Sequence, residues 1–187
     1  MKHLLKKISL MIGLIGAMNS VQAVQIKSAL LYISPNEYNY SVHLLSPYYD
    51  YWFEQGPLVE PIAYQVLQAK STDLALCKAN ETADRIIRIT PHVFYNPQMQ
   101  VYHSQLEATV YSGGGNVLGH YVGEAQQQGY ASFDNGTRYH LNKAYKLAMQ
   151  DLMTKIDINP ASAPAESNAK LPCGLIGAES NPKINFY

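Results

Sequence analysis

The chain has 187 residues, 47% of them hydrophobic and 15% charged, with 14 basic side chains against 14 acidic ones. That length builds one domain with a substantial core and is too short for two large ones. The apolar content excludes a mainly disordered chain, and the charge balance excludes the basic excess of a nucleic-acid binder.

Residues 1–23 read MKHLLKKISLMIGLIGAMNSVQA. Lys2, Lys6 and Lys7 make a positive start, Ile8 to Met18 a short apolar run, and Val21-Gln22-Ala23 a compact end of the kind a signal peptidase reads. The pattern predicts a secretory signal peptide cleaved after Ala23. The apolar run is shorter than the roughly 20 residues that span a bilayer. No cysteine near the cut offers a site for a lipid anchor. Cleavage leaves 164 residues with 11 basic and 14 acidic side chains, a formal charge of −3. Such a surface has no electrostatic drive toward nucleic acid or anionic lipid. The short basic leader and single-domain size point to a bacterial export product, periplasmic or secreted.

The mature chain opens on a predicted strand over Val24 to Ile33, stopped by Ser34-Pro35-Asn36. Tyr38 to Phe53 is rich in aromatics and broken by Pro47, and reads as strand and loop. Gly56-Pro57 opens a helix in which Leu58, Ile62, Val66 and Ala69 recur at helical spacing. Ser71 to Thr82 is mixed. Arg85 to Tyr95 is β-branched and aromatic and predicts a strand, with Pro91 marking an edge or a bulge.

Val101 to Ser112 and Val117 to Gln128 alternate on either side of Gly113-Gly114-Gly115-Asn116, the pattern of a β-hairpin. A two-residue turn at Gly114-Gly115 makes paired residue numbers sum to 229. Leu106, Ala108 and Val110 then oppose Gly123, Tyr121 and Gly119 on an apolar face. His103, Gln105, Glu107 and Thr109 oppose Gln126, Glu124, Val122 and His120 on a polar one.

Thr137 to about Ile156 predicts the second main helix, with Leu141, Ala144, Tyr145, Ala148, Leu152 and Ile156 on one stripe. Residues 159–170 (NPASAPAESNAK) read as a linker, and the tail to Tyr187 carries Cys173. The division is therefore a signal peptide over 1–23, one domain over 24–158, and a linker and tail over 159–187. The order β-α-β-β-β-α predicts an α+β fold, helices packed on one face of an antiparallel sheet.

Cys77 and Cys173 are the only cysteines. An even pair in an exported protein favours a disulfide that ties the tail back to the domain. No nucleophile elbow, phosphate loop, dinucleotide fingerprint or zinc-protease motif occurs. The triple glycine lies between two strands rather than before a helix, so it is a turn and not a phosphate cradle. No catalytic residue and no cofactor is assigned.

Two groups of side chains remain as candidates. Tyr48, Tyr49, Tyr51 and Trp52 concentrate aromatic rings in a short stretch, which suits binding of an envelope partner. His103, Glu107, His120 and Glu124 share the polar hairpin face, where a metal-dependent enzyme or metal binder would place its ligands. A third possibility is a small-molecule or lipid carrier with a cavity between sheet and helices.

In element order, Trp52 to Ile156 resembles the domain of the bacterial ABC-type transport auxiliary lipoproteins and related small periplasmic proteins. The shared features are Tyr51-Trp52, the helix from Leu58 to Ala69 and the strand from Arg85 to Tyr95. The hairpin strands Gln105-Leu106-Glu107-Ala108-Thr109-Val110-Tyr111 and Asn116-Val117-Leu118-Gly119, and the terminal helix, complete the series. The resemblance implies a non-enzymatic binding and assembly module. That family is lipidated at a cysteine after the signal, and this chain has none there, so membrane anchoring does not carry over. The expectation is an exported periplasmic accessory protein that binds another cell-envelope component through the Tyr-rich stretch or through a sheet edge that pairs with a partner strand, Pro91 pointing to one managed edge.

Overall fold

The computed structural model describes residues 27–44, 50–71, 73–78, 80–132, 134–158 and 170–176. Residues 1–23, for which a signal peptide is expected, Tyr48, Tyr49 and nearly all of the expected linker fall outside these residues.

Among the described residues seven strands and three α-helices follow one another. They are β1 (Lys27–Tyr32), α1 (Pro35–Tyr38), β2 (Ser41–Leu44), β3 (Tyr51–Glu54), α2 (Gly56–Gln68), β4 (Leu74–Leu76), β5 (Ala83–Asn96), β6 (Val101–Ser112), β7 (Val117–Gln128) and α3 (Asp134–Lys155). Five strands form one sheet in the order β4-β1-β5-β6-β7, and β2 and β3 form a separate hairpin. The class is α+β, with the helices on one face of the main sheet. The sheet itself is mixed. β5, β6 and β7 are the expected antiparallel meander, but β1 runs parallel to both β4 and β5. β4 was not foreseen, because three residues within a mixed stretch carry no periodic signal.

The main core lies between this sheet and the helices. Ile87, Ile89, Leu106, Ala108 and Val110 face Val59, Ala63 and Leu67 of α2 and Leu141, Ala144, Tyr145, Ala148 and Leu152 of α3. The α3 residues repeat at i, i+3, i+4, i+7, which keeps them on one stripe and makes the helix a lid for the β6–β7 end of the sheet. Each fully buried Leu or Ile contributes about 1.5–3 kcal/mol of transfer free energy.

The hairpin register is the expected one from His103↔Gln126 to Val110↔Gly119. Beyond Val110 it differs. Tyr111 pairs with Val117, so a bulge occurs there, and the turn runs over four residues rather than two. The Ser112 amide donates to the Asn116 carbonyl at 2.8 Å, and Gly115 takes φ +88°, a backbone region that glycine enters without steric cost. The reason is tertiary. Gly113 is engaged elsewhere: its amide donates to the Asp84 carbonyl at 2.9 Å and its own carbonyl accepts from Leu171.

Pro91 lies where β5 is a local edge. β1 stops opposite Arg88, so from there on β5 has only β6 beside it, and the missing N–H breaks no ladder.

A second, smaller core occupies the other face. Leu30, Ala83, Ile86 and Tyr111 are covered by a strap over 170–176 that contributes Cys173 and Ile176. Cys77 and Cys173, 96 positions apart in sequence, form a disulfide with Cα atoms 6.0 Å apart. The strap adds backbone bonds from Leu171 to Gly113 at 2.8 Å and from Cys173 to Glu81 at 2.9 Å, and the Lys170 ammonium pairs with Asp84.

Candidate functional site

The β2–β3 hairpin is short but two-faced. Val42, Leu44, Tyr51 and Phe53 turn toward the core, and Ser41, His43, Trp52 and Glu54 turn outward. Alternation at a period of two produces this division. It also separates the aromatic candidates. Tyr51 is 6% exposed and packs in the core, whereas Trp52 is 58% exposed.

Trp52 is held in a defined pose. His43 pairs directly with it across the hairpin, and the two rings stack in parallel, 4.4 Å between centroids at an angle of 8°. His43 Nε2 in turn lies 2.5 Å from Asp50 Oδ1, so the carboxylate fixes the imidazole that backs the indole. One face of the indole is taken by His43, and its large remaining exposure lies away from that ring.

Trp52 borders a surface groove of about 370 Å³, near the lower end of the roughly 300–1,000 Å³ of small-molecule sites. Three elements build it. The hairpin supplies Ser41, Trp52 and Glu54, the first turn of α2 supplies Pro57 and Leu58, and the first turns of α3 supply Arg138. Among the described residues neither Glu54 nor Arg138 forms an ion pair. Sequence reasoning missed His43, Asp50 and Arg138. Alternation over Ser41–Leu44 and Tyr51–Glu54 would have placed His43 on the Trp52 face. Nothing local points to Arg138.

On the polar hairpin face His120, Glu124 and Gln126 of β7 are exposed, and His103, Gln105, Glu107 and Thr109 of β6 are half-buried. His92 and Phe94 of β5, His103 and Gln105 of β6, and Glu124 and Gln126 of β7 border a concavity of about 450 Å³ there. Glu107 lies between two imidazoles, 3.9 Å from His92 and 4.0 Å from His120. The register sets these two histidines diagonally on opposite sides of the carboxylate, each nearer a different oxygen, so they do not converge on one point. Among the described residues no three of His, Cys, Asp and Glu are grouped to hold a metal ion.

The two outer strands of the main sheet, β7 and β4, each carry side-chain bonds on part of their outer edge. On β7 the Glu124 amide donates to Asp151 Oδ2 at 2.9 Å and the Val122 carbonyl accepts from Lys155 at 2.9 Å, while Lys155 and Asp151 pair at 2.5 Å. On β4, only three residues long, the Leu74 carbonyl accepts from the Tyr64 hydroxyl at 3.3 Å. These are ways of blunting an edge against further strand pairing.

Among the described residues no helix is long and apolar enough to cross a membrane. No family model and no curated protein matches the chain. Solved structures with a similar trace include a DUF330 protein from Xanthomonas campestris, 9% identical, at a TM-score of 0.47 over 72% of this chain and 86% of that one. An uncharacterized protein is also 9% identical, at a TM-score of 0.45 over 72% of this chain and 95% of that one. A candidate lipoprotein from Caulobacter crescentus is 9% identical, at a TM-score of 0.34 over 54% of this chain and 78% of that one. At this distance the resemblances carry no inference about function.

Proposed function

We propose that the chain is exported, loses residues 1–23, and acts in the bacterial cell envelope as a non-enzymatic accessory protein that binds another envelope component. The binding element is the outward face of the β2–β3 hairpin. The observation that carries this reading is Trp52, a large amphipathic ring left 58% exposed yet held in one orientation by His43 and Asp50. Exposed, rigid aromatic rings supply contact area at little entropic cost and are the usual anchors of interfaces. Side-chain bonds on β7 and β4 blunt those two edges, which disfavours there the rival mode in which a partner strand extends the sheet.

The test is photo-crosslinking in intact cells. A photoreactive residue replaces Trp52 in one strain and His120, on the exposed sheet face, in another. The expected result is a discrete adduct from position 52, far stronger than any from position 120, on a protein that begins at Val24. No adduct at position 52, or equal adducts at both, overturns the binding reading. A full-length chain retained in the cytosol overturns export.

A further inference from the structure

We infer that the Trp52 groove is a subsite for a neutral sugar ring, so that the envelope component recognised is a glycan. The inference rests on the binding role proposed above and names the chemistry of its ligand.

Three observations converge. First, the Trp52 indole is a flat platform with one face backed by His43 and most of the rest open. The electron-rich face of an aromatic ring attracts the weakly positive C–H groups that line one side of a pyranose. Second, the rim carries one carboxylate and one guanidinium, Glu54 and Arg138, together with the Ser41 hydroxyl. Glu54 accepts hydrogen bonds, Arg138 donates several, and Ser41 does both. Ring hydroxyls need that mixture, since each is donor and acceptor at once. Third, the opposite charges on the rim balance, and the mature chain is mildly acidic at −3. A polyanion finds no complementary field here, whereas a neutral ligand rich in hydroxyls needs none. The groove volume of about 370 Å³ suits one or two sugar units rather than a folded protein surface.

Trp52 is the only tryptophan of the chain, so intrinsic fluorescence reads this groove without labelling. The mature, disulfide-bonded protein is titrated separately with chitotetraose, maltotetraose and decaproline. The first two present N-acetylated and plain pyranose rings, and the third presents an apolar extended peptide. The expected result is a saturable shift or quench with at least one of the two sugars and none with decaproline. Arg138→Gln and Glu54→Gln, both at exposed positions, each weaken the sugar response tenfold or more with circular dichroism unchanged. No response to either sugar in the millimolar range, a response unaltered in both variants, or an equal response to decaproline overturns the inference. A strong crosslink at position 52 with no sugar response sinks the glycan assignment and leaves the binding role standing. Failure of both assays removes both.

Discussion

The Tyr145 hydroxyl donates to the Gln55 side-chain carbonyl at 2.8 Å, between two fully enclosed side chains. The bond ties the middle of α3 to the residue that joins Glu54 to α2, directly behind the outward-facing hairpin. Burial pushes the phenol well above its ordinary range, so it stays a neutral donor at every physiological pH. Tyr145→Phe keeps the ring and strands the Gln55 amide. The expected cost is about 1–3 kcal/mol in urea unfolding. A double variant Tyr145→Phe, Gln55→Leu recovers part of it, because no buried acceptor then lacks a partner.

At Gly123 α3 packs directly on the backbone of β7. A Cβ there would meet the Ala148 carbonyl oxygen at 2.3 Å and Leu152 Cβ at 2.5 Å. Gly123→Ala forces the helix outward, an overpacking that typically costs about 1–3 kcal/mol. Gly136→Ala is the control, since its nearest contact is the Ser132 hydroxyl at 3.1 Å. Thermal melts of the two variants are expected to separate clearly, with Gly123→Ala the lower.

The clamp on the β7 edge is pH-dependent. The Lys155 ammonium and the Glu124 amide hold the Asp151 carboxyl below its ordinary value. A depressed folded-state value means that the stabilisation is complete above the unfolded carboxyl value near 4 and is lost as pH falls through the lower folded one. Protection of the Glu124 amide in hydrogen exchange, corrected for intrinsic rates, is therefore expected to drop below about pH 4. Asp151→Asn removes that pH dependence and leaves the edge less protected at neutral pH, read as increased self-association in light scattering.

The strap depends on its disulfide. For a closed loop of about 100 residues the chain-entropy model gives roughly 4–5 kcal/mol of stabilisation. Cys77→Ala, Cys173→Ala is expected to lose much of that in urea unfolding. Hydrogen exchange should quicken at Leu30, Ile86 and Tyr111, the residues under the strap, while the α2–α3 core on the opposite face keeps its protection. Uniform loss of protection on both faces would show that the two cores unfold as one unit.

Period and punctuation account for what could be read directly from the chain. The 12-residue strands β6 and β7 alternate, the stripe of α3 repeats every three to four residues, and the two cysteines are an even pair. Each pattern is local and long enough to outweigh chance, so the α+β class, the hairpin faces, the register through Val110 and the disulfide all followed from it. Trp52 was singled out as an aromatic available for binding, and it is exposed. Tyr51 was grouped with it, and the pleat turns it inward.

What the chain alone did not reveal depends on residues far apart in sequence. The parallel placement of β1 between β4 and β5 is a choice of partners, and nothing in the six residues KSALLY names a partner. The bulge after Val110 accompanies the engagement of Gly113 by distant residues, its amide by the Asp84 carbonyl and its carbonyl by the Leu171 amide. Arg138 reaches the Trp52 groove only because α3 folds across the sheet to bring its first turns beside the hairpin. Local patterning specifies elements and faces, because side-chain period is a property of neighbours. Their assembly is specified by packing between distant surfaces, and the groove at Trp52 is made by that packing.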